Sequence, residues 1–122
     1  MQVSDGKGIW LLDPLSITDW QPFAELLQDK NLPKVMHSLS EDIEVFMRLV
    51  SVIPAAMLDT QIGAGLVGFG GGLGYQRLVE ATLDLHIEKD QTRSDWLQRP
   101  LSVEQQRYGQ LMCVICRLFI RC

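Results

Sequence analysis

The sequence predicts an α/β domain, and three features carry that prediction. Short apolar runs closed by turn residues alternate with segments whose apolar residues recur at helical spacing. With 122 residues and 47% hydrophobic content there is enough apolar surface for one core, and no stretch rich in proline, glycine and serine divides it. No motif recurs at a period of roughly 20 to 50 residues, so a repeat array is excluded.

Taken in order, Lys7 to Leu12 (KGIWLL) is a short apolar run stopped by Asp13-Pro14 and reads as a strand. From Asp19 to Leu27, Trp20, Phe23, Leu26 and Leu27 fall at helical spacing. Pro33 precedes a second strand-like run, Lys34 to Met36. That run leads into a helix whose apolar face is Ile43, Phe46, Met47 and Val50, with Ser38 and Glu41 forming a capping-box pattern at its start. Ala56 to Leu58 reads as a third strand, Gln61 to Val67 as a helix of small and branched residues, Gly68 to Gly74 as a loop, and Tyr75 to Leu83 as a further helix.

Composition narrows the function classes. A net charge of −4 argues against broad electrostatic attachment to nucleic acid, which relies on a basic face that neutralises phosphates. No basic stretch followed by an apolar run opens the chain, and no segment approaches the roughly 20 apolar residues that span a bilayer. Export and membrane insertion are therefore not expected. All three cysteines, Cys113, Cys116 and Cys122, crowd the C-terminal end, so no disulfide framework staples the rest and a reducing cytoplasm fits. Cys113 and Cys116 make a C-x-x-C pair, but a structural zinc site takes four ligands and only Cys122 and two distant histidines remain to complete it.

Gly63-Ala64-Gly65-Leu66-Val67-Gly68 satisfies the G-x-G-x-x-G pattern of a dinucleotide site, with Asp84 downstream as the ribose acid. Two features oppose it. Gly70, Gly71 and Gly72 follow at once and break any helix running on from the third glycine, and Asp84 ends a helical pattern rather than a strand. Small residues that permit close helix packing, followed by a loop, account for the segment.

His37 stands at a strand end, where a histidine is usually a satisfied boundary residue. Asp42 falls in the first turn of a helix, where the backbone N–H groups and macrodipole favour any anion. Asp59 reads as a strand-end or helix-cap acid. In Thr92 to Leu101 (TRSDWLQRPL), Arg93 and Arg99 can touch a phosphate backbone and Trp96 can stack on a base; equally, all three can cap a helix and fill a surface groove.

Three stretches, HSLSEDIEVF from His37 to Phe46, LDTQI from Leu58 to Ile62, and SDWLQRPLSVEQQRY from Ser94 to Tyr108, occur in an order and spacing that resembles ribonuclease D. The resemblance covers roughly Gln2 to Tyr108. It implies an α/β, ribonuclease H-like (DnaQ-like) 3′–5′ exonuclease domain, lacking its first strand. Such enzymes hydrolyse RNA from the 3′ end, transfer RNA precursors among their substrates. They use a Mg²⁺ or Mn²⁺ pair about 4 Å apart held by four acids. On this comparison Asp42 falls on the metal-linked aspartate of the second motif, and Tyr108 on the tyrosine that orients the attacking water. His37, Arg93, Trp96 and Arg99 become candidate substrate contacts. Asp59 is typical of the pattern without being one of the four acids.

The resemblance also marks departures. The family tyrosine is followed four residues later by aspartate, one turn along the same helix face; here that residue is Met112, whose thioether is a poor ligand for a hard divalent cation. The D-x-E strand that supplies two further acids would precede Gln2. Read one frame over, an allowed codon set for Gln110 to Ile120 encodes AADVCYLPVVH, which puts an aspartate four residues after Tyr108. Residues 1–109 are thus expected to form a partial exonuclease domain and residues 110–122 a frameshifted tail. The expectation is a ribonuclease D-like domain that is inactive as it stands, with open strand edges that favour self-association. The alternatives are a non-catalytic nucleic-acid-binding or interaction remnant, or a DNA exonuclease of the same superfold.

Overall fold

A computed structural model describes residues 1–88 and 91–113. The chain opens with a hairpin, β1 (Gln2–Ser4) paired antiparallel to β2 (Ile9–Leu11), with Gln2 opposite Leu11 and Ser4 opposite Ile9. The turn is built by Asp5, whose Oδ1 accepts from the N–H groups of Lys7 (2.8 Å) and Gly8 (2.9 Å), and by Gly6 at φ +81°, a value that favours glycine. The sequence pattern found only the second arm of this hairpin, because QVS is short and half polar. Helix α1 (Gln21–Gln28) follows, with Pro22 in its first turn, where a missing N–H costs nothing, and Asp19 accepting from Gln21 N.

The next unit is β3 (Lys34–Met36), α2 (Ser40–Val50), β4 (Met57–Asp59), with β3 and β4 parallel and Lys34 opposite Met57, Met36 opposite Asp59. Parallel strands need a crossover between them, and α2 is that crossover. It packs on α1 through edge-to-face rings, Phe23 on Phe46 at 5.7 Å and Trp20 on Phe23 at 5.8 Å, with Ala24 and Leu27 buried beside them. Helix α3 (Thr60–Leu66) leaves β4 without a break. It is joined to α4 (Tyr75–Leu83) by a loop in which Gly68, Gly70 and Gly72 all have positive φ. Ala64, Leu78, Val79 and Ile87 form the core between α3 and α4, with Leu73, Tyr75, Leu83 and Tyr108 packed around it.

The four strands fall in two separate pairs among the described residues, β1–β2 and β3–β4. Helix α5 (Val103–Leu111) lies on the hairpin: a Cβ at Gly109 would come within 3.1 Å of Leu11 Cδ2, so the close approach depends on glycine there. The nucleotide-site glycines lie inside α3 or in the loop after it, so Gly63 and Gly65 are helical residues and no phosphate-binding turn follows a strand there. No helix among the described residues is long and apolar enough to cross a membrane. Of the cysteines only Cys113 is described, and it is buried; Cys116, Cys122 and most of the expected frameshifted tail lie outside the described residues, while α5 runs past Gly109 to Leu111.

The expected capping box at Ser38 and Glu41 does not form. Ser38 sits in the left-handed region at φ 57°, Leu39 occupies the N-cap without a side-chain bond, and the Ser38 N–H that Glu41 would receive in the box goes instead, with Leu39 N, to Asp59 of the neighbouring strand. A reciprocal box forms instead at α5, where Ser102 Oγ accepts from Gln105 N (3.1 Å) and Gln105 Oε1 accepts from Ser102 N (2.9 Å).

Candidate active site

The motif residues fall into two groups, one at the ends of β3 and β4 and one around α5. In the first, the segments His37–Leu39 and Asp59–Thr60 interlock residue by residue. Asp59 Oδ1 accepts from Ser38 N (3.1 Å) and Oδ2 from Leu39 N (2.9 Å), while Oδ1 also accepts from Gln61 N (2.8 Å) and Ile62 N (3.4 Å). One carboxylate thus serves the starts of both α2 and α3. Burial alone would push its pKa up, but these four N–H donors hold it below the usual aspartate value. The helix-cap role read for Asp59 from the sequence is therefore found, and extends to a second helix.

Beside it, His37 Nδ1 is 2.9 Å from Thr60 Oγ1, and the imidazole meets the Tyr75 ring edge-on at 5.5 Å. Its Nε2 is buried without a hydrogen-bond partner among the described residues. Burial lowers the His37 pKa, opposed by the Asp59 carboxylate and the Leu73 carbonyl. The ring packs against the fold through Thr60 and Tyr75.

Asp42 lies in the first turn of α2, one residue after Glu41. Its carboxylate is half-buried and has no hydrogen-bond or ion-pair partner among the described residues. Burial raises its pKa, and the negative charges of Glu41 and Asp59 raise it further. Two aspartates near one another therefore differ: Asp59 is saturated with donors, whereas Asp42 is left wanting a cation.

The second group is assembled by α5 and the loop before it. Tyr108 packs on the α3–α4 core, and its hydroxyl lies 3.3 Å from Thr92 Oγ1. Trp96 stands against it with ring centroids 6.0 Å apart at 47°, its indole N–H donating to Gln91 O (3.0 Å). The buried Gln105 braces the loop by donating to Ser94 Oγ and Asp95 O. Gln2, Thr92, Trp96, Tyr108, Gly109 and Met112 line a cleft of about 250 Å³. Arg99 is committed elsewhere: Nε and Nη2 donate to Asp13 at 2.7 and 2.6 Å, and Nη1 donates to the Trp96 and Gln98 carbonyls. The guanidinium bond pushes the Asp13 pKa down to about 2. Arg93 is exposed, with no ion-pair partner among the described residues. Of the candidate contacts, Trp96 thus joins Tyr108, His37 joins Asp59, Arg99 pins the loop to the end of β2, and Arg93 is left facing solvent.

Tyr75 links the groups. Its ring touches His37, and its hydroxyl donates to Leu111 O (3.1 Å) at the end of α5. Thr60, Thr92 and Gln105 escaped the sequence reading; only Gln105 had a local sign, the Ser-x-x-Gln spacing to Ser102.

The residues present do not fit a two-metal centre. Asp42 is open to a cation, but Asp59 is consumed by backbone donors, Met112 offers a thioether, and no group of three metal-capable side chains occurs among the described residues.

Known proteins agree with this architecture. "Ribonuclease D" of Pseudomonas paraeruginosa is 52% identical over 109 residues, 89% of this chain and 29% of that protein. "Ribonuclease D" of Escherichia coli is 39% identical over the same length, again 89% and 29%. The chain therefore spans about three-tenths of the curated relatives it matches. The crystal structure of Escherichia coli RNase D, titled an exoribonuclease involved in structured RNA processing, superposes with a TM-score of 0.87 at 35% identity over 98% of this chain and 33% of that one. The Aedes aegypti Nibbler EXO domain matches at 0.80 with 22% identity over 98% and 65%, which speaks for the fold alone. The sequence model of a family described as 3′–5′ exonuclease matches residues 1–115, so the chain belongs to the 3′–5′ exonuclease family and carries the α/β fold its motifs predict.

Proposed function

We propose that this chain is part of a ribonuclease D-like 3′–5′ exoribonuclease, in which Asp42 is a metal-binding acid and Tyr108 the residue that orients the attacking water. The observation that carries the reading is Asp42 itself, a half-buried carboxylate with a raised pKa and no partner among the described residues. Asp59 nearby, by contrast, accepts from four backbone N–H groups. The substrate of the intact enzyme is RNA, transfer RNA precursors included, acted on in the cytoplasm with Mg²⁺ or Mn²⁺. Exonucleases of this family are metal-dependent in general. Trp96, beside Tyr108, is positioned to stack on a base, and the exposed Arg93 to meet a phosphate. Arg99 is a poorer phosphate ligand, because most of its donors are already spent.

The 122-residue chain itself is proposed to be catalytically silent. Asp42 is the one family acid on a matching position, Met112 stands where the partner of Tyr108 belongs, and loss of part of a coordination set removes water activation and charge neutralisation together. The reading of residues 110–122 as a frameshifted tail belongs to the same proposal. The test is incubation of the purified chain with a 5′-labelled RNA and Mg²⁺ or Mn²⁺. No shortening above background is expected. Robust metal-dependent shortening, abolished by Asp42→Ala, would overturn the silent reading while upholding the role of Asp42.

A further inference from the structure

We propose that Asp59 is a positioning residue: by holding the first turn of α2 from the end of β4, it fixes where the Asp42 carboxylate is aimed. Helix α2 does not set its own start. Its N-cap, Leu39, has no side-chain acceptor, Ser38 is turned into the left-handed region, and Glu41 makes no reciprocal bond. The two N–H groups that lead into the helix are held from another strand, Ser38 N on Oδ1 and Leu39 N on Oδ2 of Asp59. Those two residues lie within one turn of Asp42. Asp59 is itself fixed, because Oδ1 is anchored by Gln61 N and Ile62 N at the start of α3. A shift of α3 is therefore transmitted to the turn that bears Asp42 through a single rigid carboxylate.

The division of labour between the two oxygens makes the proposal specific. Oδ2 serves α2 alone, through Leu39, whereas Oδ1 serves both helices. Asp59→Asn keeps the shape and one acceptor oxygen but replaces the other by an amide that cannot accept. The adjacent bond, Thr60 Oγ1 to His37 Nδ1, ties the same two segments without touching either oxygen, so Thr60→Val is a matched control. The functional meaning rests on the reading of Asp42 as the site acid; the coupling of Asp59 to the α2 turn does not.

The experiment is solution NMR on the full chain in three forms: wild type, Asp59→Asn and Thr60→Val. In Asp59→Asn, amide exchange at Leu39 is expected to quicken roughly ten- to hundredfold, the range corresponding to loss of one charge-assisted bond. Exchange at Gln61 should change less. Residual dipolar couplings of Ser40, Glu41 and Asp42 should report a reorientation of the first turn, while those of Phe46 to Val50 stay put. Thr60→Val should leave the Asp42 couplings in place. Three outcomes overturn the proposal: couplings at Asp42 unchanged in a folded Asp59→Asn, equal changes in Asp59→Asn and Thr60→Val, or global unfolding of Asp59→Asn, which would make Asp59 a general structural residue. Failure of the metal-acid reading shows separately, as shortening of RNA that survives Asp42→Ala.

Discussion

The two halves of the candidate site are held by different forces. Around Asp42 the backbone is gripped by a charged side chain: Asp59 takes four N–H groups from two segments, and the strand-end segments cannot separate without leaving a carboxylate unpaired. Around Tyr108 the grip is aromatic and peripheral, with Trp96 against the ring, Thr92 near the hydroxyl, and the Asp13–Arg99 pair tying the loop down at a partly exposed point. The first half holds the half-buried Asp42 carboxylate; the second holds the Met112 thioether one turn after Tyr108. The Tyr108 ring is placed by Trp96 and Thr92, while its backbone carbonyl accepts from Met112 N (3.2 Å) at the end of α5.

The sharpest way to break the comparison is to remove the grip on the first half. Asp59→Ala orphans donors at the starts of two helices, each cap worth about 0.5–2 kcal/mol. A total loss of about 2–4 kcal/mol is expected in urea denaturation, a large share of the roughly 5–15 kcal/mol that a domain possesses. A midpoint within error of wild type would mean that the interlock is incidental. Next in size is Met112→Asp, which places a charge at a half-buried position in the other half and should cost about 1–3 kcal/mol. If that position and Asp42 face one point, Mn²⁺ should return part of the loss by mass action, while leaving wild type unmoved. Thermal unfolding with and without Mn²⁺ decides it.

How far the sequence foretold these halves follows from what holds them. Strand Lys34–Met36 and helix Tyr75–Leu83 emerge with the bounds their patterns predict, since each is marked by apolar periodicity and a breaker at its edge. Helix α5 carried no such stripe: VEQQRYGQL is polar nearly all round, and the capping box of Ser102 and Gln105 at its start went unread in the sequence. The reverse error occurred at Ser38, where a sound local capping pattern lost to a long-range acceptor; no local reading sees a bond that spans 20 residues of chain from Asp59 to Leu39. Likewise the unpartnered state of Asp42, and the spending of Arg99 on Asp13 across 86 residues, are tertiary facts. Family resemblance singled out Asp42, while the residues alone left a helix-stabilising role open.

A subtler contrast separates the two aspartates of the first half by sign. The Asp42 pKa is raised in the fold, so the folded state favours the protonated acid, and ionisation above that pKa costs stability. The Asp59 pKa is lowered, so its contribution is present above the unfolded value and is lost as pH falls through the folded one. At neutral pH, Asp42→Asn should thus leave stability unchanged or slightly increased, an effect that fades in acid, whereas Asp59→Asn should lower it. Equal losses from both variants would show that Asp42 is a structural acid and would weaken its assignment to the site.

The smallest effect is expected where the second half is pinned, at Asp13 and Arg99. The pair is well aligned, with Nε and Nη2 on the two carboxylate oxygens, but it lies at the surface, where solvent and salt screen the attraction. Arg99→Lys cannot reproduce the two parallel bonds, nor the further bonds to the Trp96 and Gln98 carbonyls. The global midpoint should barely move, and what change there is should shrink at high salt. The local effect should be larger: the loop loses its tie to the end of β2, and Trp96, packed on Tyr108, should become more accessible to a neutral fluorescence quencher, with Trp10 and Trp20 as a constant background. Acid should mimic the substitution. The Asp13 pKa is about 2 in the fold against 3.8 for an unperturbed aspartate, so the contribution of the pair is full above the higher figure and is lost as pH falls toward the lower one. If Trp96 accessibility rises in Arg99→Lys and in wild type across that acid window, but the variant shows no further change there, the pair is what holds the aromatic wall of the cleft. If acid raises accessibility equally in both, the wall is held by Gln105 and Gln91 instead, and the second half is less peripheral in its support than the first.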